Sequence, residues 1–234
     1  MIKEIPKFKI IEVINATSDT KIIRLAPISG SIFQYTPGHF AFLHILDSNG
    51  NSLVKKPYSI ASSPDSPYLE FCIKMVGGQV TAPLNQKVVG DLVGIEGPLG
   101  HFTFKDDHDS VFLAGGTGIA PMMGMVRYAT KNKFKSKLTV FFSSKDESSI
   151  LYLNEFENLK KQNPNLTVVY TLTREESKKY HFGRISKELI EKYLKSGANL
   201  NWFMCGPLEM LKSFKEYALA LGADPKKLKM EGWG

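Results

Sequence analysis

A change of hydrophobic pattern near Lys105 divides the 234-residue sequence into two unlike halves. Before it lie short β-rich runs: Phe8 to Ile14, Lys21 to Leu25, Phe40 to Leu46, a stretch through Lys56–Ser59, Leu69 to Met75, and Leu92 to Glu96. Turn-forming strings such as Thr36-Pro37-Gly38 and Asp47-Ser48-Asn49-Gly50-Asn51 separate them, the pattern of an antiparallel barrel or sandwich. A turn of helix after Gly78 is the one helical feature expected there. Past the break, apolar strands at Val111 to Ala114, Leu138 to Phe142, Leu166 to Leu172 and Asn201 to Met204 alternate with helical periods. Those periods run over Ile119 to Thr130, Leu151 to Leu159, Ser186 to Leu194 and Pro207 to Leu221, with Leu228 to Glu231 as a last strand. Strand–helix alternation of this kind predicts a parallel sheet wrapped by helices. Two domains are therefore expected, residues 1–105 and 110–234, with Lys105-Asp106-Asp107-His108-Asp109 between them.

Composition removes several alternatives. Two cysteines, Cys72 and Cys205, are too few for a cysteine-held iron–sulfur cluster within this chain, and no metal site is expected. They also fit a reducing compartment, and no secretory run interrupts MIKEIPKFKIIEV, so a cytoplasmic location is expected. The uncharged run from Ser110 to Val126 is broken by glycines and a proline, which argues against a membrane span. Thirty basic against 23 acidic residues leave a net charge of +7, partly concentrated at Lys131, Lys133, Lys135 and Lys137 and at Lys226, Lys227 and Lys229. No nucleic-acid recognition motif accompanies this charge. An acidic protein partner or an anionic cofactor suits such a field, as does a plain solvated surface.

Several strings point to chemistry. Ala114-Gly115-Gly116-Thr117-Gly118-Ile119-Ala120-Pro121 joins a predicted strand to a predicted helix, where bare glycines let a backbone meet a pyrophosphate at the helix start. Pro121 replaces the third glycine of the usual fingerprint and is tolerated in a first helical turn. After the second strand, Ser143-Ser144-Lys145-Asp146-Glu147 offers hydroxyls and a cation for a 2′-phosphate, or carboxylates for a free 2′-hydroxyl. Thr173-Arg174 adds a second cation, which serves either as a phosphate clamp or as an ion-pair partner of Glu175 or Glu176. Cys205-Gly206-Pro207 follows the fourth strand and leaves room for a flat ring; a buried cysteine before a helix fits it equally.

In the first half, Lys56-Pro57-Tyr58-Ser59 sets a cation, an aromatic ring and a hydroxyl within four residues. Strand alternation places Lys56 and Tyr58 on one face, and Pro57 marks an edge or strand end. A grip on a flat anionic cofactor and an ordinary strand fit this string equally. Glu70, Cys72 and Lys74 alternate with apolar neighbours, predicting one wet or cofactor-facing side. Gly77-Gly78-Gln79-Val80-Thr81 is either a second phosphate site at a short helix or a glycine hairpin.

Taken in order, these strings, with GDLVGIEGPLG and the terminal EGW, resemble the ferredoxin–NADP reductase superfamily of flavoprotein reductases across essentially the whole chain. The resemblance implies an N-terminal antiparallel β-barrel for flavin and a C-terminal α/β parallel sheet for NAD(P), with hydride passing from the nicotinamide to flavin N5. It implies FAD and a nicotinamide dinucleotide, while the hydroxyls and cations after the second and third strands favour NADPH over NADH. It assigns Lys56 to the flavin pyrophosphate, Pro57 and Tyr58 to the isoalloxazine, and Ser59 to the neighbourhood of N5. Ile73 and Lys74 would line the flavin, and Gly78, Gln79, Val80 and Thr81 would cap its phosphates. Gly116, Thr117 and Gly118 would bind the nucleotide pyrophosphate, and Lys145, Thr173 and Arg174 its adenosine end. Cys205, Gly206 and Pro207 would meet the nicotinamide with Glu231, and Trp233 would shield the flavin. Ser59, Cys205 and Glu231 are thereby the expected catalytic group. Lysine instead of the usual arginine at position 56 implies a weaker flavin grip. Gly232 implies a mobile tail between Glu231 and Trp233. An acidic carrier, a ferredoxin or flavodoxin, is the expected acceptor; a free-flavin reductase, an electron-input subunit and a non-catalytic sensor are the alternatives.

Overall fold

The computed structural model of the protein describes residues 5–233. Residues 1–4 and Gly234, at the outer ends of the two predicted domains, lie outside it. Two compact units are formed. One runs up to Lys105 and includes Met123–Tyr128; the other comprises Asp106–Met122 and the chain from Ala129 on.

The first unit is an antiparallel sheet of β1 (Lys7–Asn15), β2 (Thr20–Pro27), β3 (Phe40–Leu46), β4 (Ser52–Ser59), β5 (Leu69–Lys74) and β6 (Leu92–Leu99). Their order is β4-β3-β6-β1-β2-β5. An antiparallel bridge between Ile60, just past β4, and Phe71 in β5 draws the two ends of this order together into a barrel. Its interior holds Ile10, Ile23, Leu25, Leu43, Phe71 and Ile95, each almost or wholly buried. β4 is the first strand of that order, which suits Pro57 because its partner β3 lies on one side only. Past β5 the chain turns at Gly77 into α1 (Thr81–Gln86).

One expectation for β5 fails. Glu70 and Cys72 do not face water: Glu70 is wholly buried and Cys72 nearly so. The reason is tertiary. The Glu70 carboxylate takes Arg24 Nε at 2.8 Å on one oxygen and Arg127 Nη1 at 2.7 Å on the other. Two guanidinium groups thus cover, at Glu70, the side expected to be wet or cofactor-facing, while Lys74 on that side remains exposed.

The second unit is a parallel sheet of β7 (Ser110–Gly115), β8 (Leu138–Ser144), β9 (Leu166–Leu172), β10 (His181–Phe182), β11 (Asn201–Pro207) and β12 (Leu228–Trp233). Between them run α2 (Ile119–Lys131), α3 (Leu153–Gln162), α4 (Lys187–Glu191) and α5 (Leu208–Ala220). β8 is buried at every position, as a central parallel strand covered on both faces must be. Ser186 caps α4 by accepting the Leu189 N–H at 3.2 Å, and Lys160 and Lys161 sit at the C-terminal end of α3, where the helix dipole favours cations. Strand order is β10-β9-β8-β7-β11-β12. The order therefore reverses at β7, with β8 on one side and β11 on the other. The acids after Lys105 are tied to this unit: Asp107 accepts the N–H groups of Lys135 and Ser136, at 3.0 and 2.7 Å, and Asp109 that of Lys137 at 2.7 Å.

Candidate functional site

In open parallel sheets, ligands bind beyond the carboxyl ends of the strands where the order reverses. Here that point falls between β7 and β11 and is occupied by Gly116–Gly118, one turn of 3₁₀ helix leading into α2. Gly116 has φ +53°, and a Cβ built on it meets open space, so a ligand can approach its backbone directly. Gly118 is needed for a different reason. A Cβ there would lie 2.2 Å from the Cys205 carbonyl oxygen and 3.0 Å from Cη2 of Trp233. The loop is thus pressed against the end of β11 and the ring that closes β12.

Register completes this cluster. Cys205 lies beside Ala114 of β7 on one side and Glu231 of β12 on the other, and Pro207 lies beside Trp233. The Cys205 thiol is 1% exposed. Burial, reinforced by the Glu231 carboxylate, pushes its pKa well above the ordinary thiol value, so it stays neutral. Gly206 is buried, and Pro207 is exposed at the start of α5. The sulfur of Met210 spans both Gly206 and Gly115, within 3.3 Å and 2.5 Å of where their Cβ atoms would be. Sequence reading missed Met210; its position one turn into the helix after Cys205-Gly206-Pro207 was the available signal.

Gly232 is not a hinge. It lies inside β12, paired with Gly206, and a Cβ on it would come within 2.6 Å of Leu211 Cδ1 and 3.1 Å of Leu208 Cδ2. Its small size lets α5 pack onto the strand, which holds Trp233 in register instead of releasing it.

Lys145 and Arg174 leave the carboxyl ends of β8 and β9, joined through the backbone by Arg174 N–H to Lys145 O at 2.8 Å. Thr173 donates both its N–H and its hydroxyl to Ser144 O. Three of the acids nearby have other partners. Asp146 accepts the Ser149 N–H and hydroxyl and the Ser148 hydroxyl, which lowers its pKa; Glu147 pairs with Lys179 at 3.8 Å; and Glu175 accepts the Glu147 N–H at 2.8 Å. Of the two acids offered as ion-pair partners of Arg174, Glu175 is thus bonded to the Glu147 backbone instead, and both cations are exposed. The hydroxyl pair is not available as expected, since Ser143 and Ser144 are 4% and 7% exposed within β8.

In the first unit, Lys56 and Pro57 are exposed while Tyr58 and Ser59 are half-buried. Tyr58 packs against the barrel core, and burial pushes its phenol up to about 12. The Ile73 side chain is 1% exposed in the core, so only its backbone can face a ligand. Lys74 pairs with Asp19 at 2.9 Å. Gly78 and Gln79 are exposed, Val80 is in the core, and the Thr81 hydroxyl accepts the Gly78 N–H at 3.0 Å. Val80, the N-cap of α1, makes no side-chain capping bond.

Residues 7–104 match the family described as Oxidoreductase FAD-binding domain, and residues 112–216 the family described as Oxidoreductase NAD-binding domain. The chain belongs to the ferredoxin reductase-like flavoprotein superfamily. It is similar to NADH-cytochrome b5 reductase 1 of Lodderomyces elongisporus, 31% identical over 196 residues, covering 81% of this chain and 65% of that protein. It is also similar to the naphthalene 1,2-dioxygenase system ferredoxin–NAD(P)(+) reductase component of Pseudomonas putida, 27% identical over 200 residues, covering 84% of this chain and 60% of that protein. The chain thus spans less than two thirds of the length of these relatives. Among solved structures, the flavohem-like FAD/NAD-binding domain of nitric oxide dioxygenase from Vibrio cholerae shares the fold, with TM-score 0.90 at 19% identity over 99% of this chain and 100% of that one. A ferredoxin NADP+ reductase from Neisseria gonorrhoeae does so with TM-score 0.83 at 18% identity over 98% of both.

The residues of a superfamily member should suit FAD and NAD(P), and these do. At Gly77 and Gly78 added Cβ atoms would meet little or nothing, so a pyrophosphate can approach the backbone there, although in α1 the Ala82 and Leu84 N–H groups are already bonded to Gly78 O and Val80 O and Pro83 has none. Gly116 offers the same opening to a dinucleotide. Two clefts of the second unit, about 280 and 530 Å³, lie among Asp109, Lys137 and Asn165 and among Asp107, Lys135 and Asn199. Both are at the amino edge of the sheet, the end opposite the glycine loop, and have no part in this site.

Proposed function

We propose that this chain is an NADPH-dependent FAD reductase that passes electrons to a small acidic carrier protein of the ferredoxin or flavodoxin class. The observation that carries the reading is the register placing Cys205 between Ala114 and Glu231, at the mouth of the glycine loop. Bound FAD would supply the hydride acceptor and the means of releasing electrons singly or in pairs. The protein's own part is to position and to exclude water. Gly116, Thr117 and Gly118 hold the dinucleotide phosphates with backbone amides, while Cys205 presents a small neutral sulfur to the nicotinamide. Glu231 sets a carboxylate beside it, and the Trp233 ring closes the same end of the sheet. Lys56 would hold the flavin pyrophosphate, Tyr58 would supply the ring that packs on the isoalloxazine, and Ser59 would keep a hydroxyl proton near N5. A reducing, cytoplasmic setting suits the two free cysteines.

Lys145 and Arg174 read the 2′-phosphate, since both are exposed and Asp146, Glu147 and Glu175 have other partners. Replacing either by Ala is expected to lower kcat/KM for NADPH about tenfold to a hundredfold, with little change for NADH. Anaerobic reduction of the FAD-loaded protein by each nucleotide measures this, and equal losses for both would overturn it. The acidic carrier follows from the net charge of +7. Carrier reduction should slow as ionic strength rises from 50 to 500 mM, roughly as screening shortens the reach of surface charge. A salt-independent rate would point instead to an uncharged or diffusible acceptor.

A further inference from the structure

The chain directly after Ser59 is held with unusual care. Ile60, Ala61 and Ser62 are all 0% exposed. Ile60 N–H donates to His39 O at 2.9 Å, and Ala61 N–H to Glu70 O at 2.8 Å. Ser62 Oγ accepts the Glu70 N–H at 3.0 Å and shares a hydrogen bond with Tyr35 Oη at 2.8 Å. The Ala61 carbonyl accepts Arg127 Nη1 at 2.7 Å, and the same nitrogen donates to Glu70 Oε1 at 2.7 Å. One turn earlier in α2, Gly124 brings its backbone against the same three residues. A Cβ there would lie 3.0 Å from Ser62 O, 3.1 Å from Ile60 O and 3.3 Å from Ala61 O.

A buried ion pair of this kind is a poor source of stability, because an apolar pair of similar volume often serves as well. What it supplies is geometry. A guanidinium nitrogen with two fixed N–H directions ties a carboxylate and a carbonyl to one point. We propose that Arg127, held by Glu70 and brought close by Gly124, is a positioning residue that fixes Ser59 and Tyr58 against the flavin by fixing the three residues that follow them. This rests on the placement of the flavin ring at Tyr58 and Ser59.

The test uses the full chain loaded with FAD and three variants: Gly124→Ala, the double variant Glu70→Leu with Arg127→Met, and Ser59→Ala. Each is read by the visible absorption of bound FAD, by the melting temperature, and by kcat and KM for the nucleotide. In Gly124→Ala the helix propensity gained opposes the overpacking of the new methyl against three carbonyls, so the melting temperature should move by only a few degrees. Its methyl group nonetheless displaces the carbonyls of residues 60–62, so the flavin band should shift and kcat fall about tenfold, with KM for the nucleotide unchanged. The double variant should show the same spectral and kcat signature; if it fails to fold, Gly124→Ala decides. Parent spectrum and kcat in Gly124→Ala, or losses confined to melting temperature, overturn the proposal. A Ser59→Ala protein that matches the parent in both would show that the flavin placement itself is wrong, and the proposal falls with it. An impaired Ser59→Ala beside unimpaired Gly124→Ala and double variants removes the positioning role alone.

Discussion

At Cys205, burial and the neighbouring Glu231 act in the same direction, both disfavouring the thiolate. The sulfur is consequently a neutral packing group at physiological pH, and reactivity tracks the thiolate. Iodoacetamide at pH 8.5 should leave Cys205 unmodified in the folded protein, as read by peptide mass spectrometry; rapid labelling would mean the thiol is more open or more acidic than its surroundings allow. The residue type and its place before Gly206-Pro207 were legible in the sequence, because both follow from an apolar strand ending at a turn. Its pairing with Glu231 was not derivable from spacing, since it depends on β12 lying in parallel register beside β11. Arg127 shows the same limit more sharply. In the string Met122-Met123-Gly124-Met125-Val126-Arg127 it reads as one more charge at the rim of an apolar helix, whereas its side chain is 11% exposed and bonded to Glu70.

Among the elements, β12 differs most from its sequence expectation. A glycine between Glu231 and Trp233 suggested freedom, but the strand continues to Trp233 and the glycine makes room for Leu208 and Leu211 of α5. Gly232→Ala should therefore destabilise the protein by about 1–3 kcal/mol through overpacking, measurable by urea denaturation. A neutral or stabilising result would restore the hinge interpretation. Most strands were foreseeable because their pattern is strong: β8 and β9 are rich in β-branched and aromatic residues, and the six barrel strands are bracketed by turn residues. β10, two residues long, carries too little pattern to register in any window. β5 was foreseen as a strand, but its second face was misassigned because alternation cannot tell water from a guanidinium group.

For the whole molecule, the consequence of Glu70 is that the barrel borrows residues from beyond Lys105, as Met123–Tyr128 cluster with the first unit. A fragment ending at residue 105 loses Arg127 and its bond to the buried Glu70 carboxylate, while keeping Arg24. That fragment should be less stable than one ending at residue 131 by about 3–5 kcal/mol, the usual result of breaking a buried pair by removing one partner. Urea melts of the two fragments followed by circular dichroism compare them; equal midpoints would show that the pair contributes nothing to the barrel. The sequence by itself determined the two architectures, the glycine loop and the order of the motifs, because hydrophobic period and turn chemistry are local properties of the chain. Tertiary structure alone decided which strand ends lie side by side, which acids remain available near Lys145 and Arg174, and what Gly124, Gly232 and Glu70 are for. Those depend on atoms far apart in sequence meeting within a few ångströms, which no local pattern records.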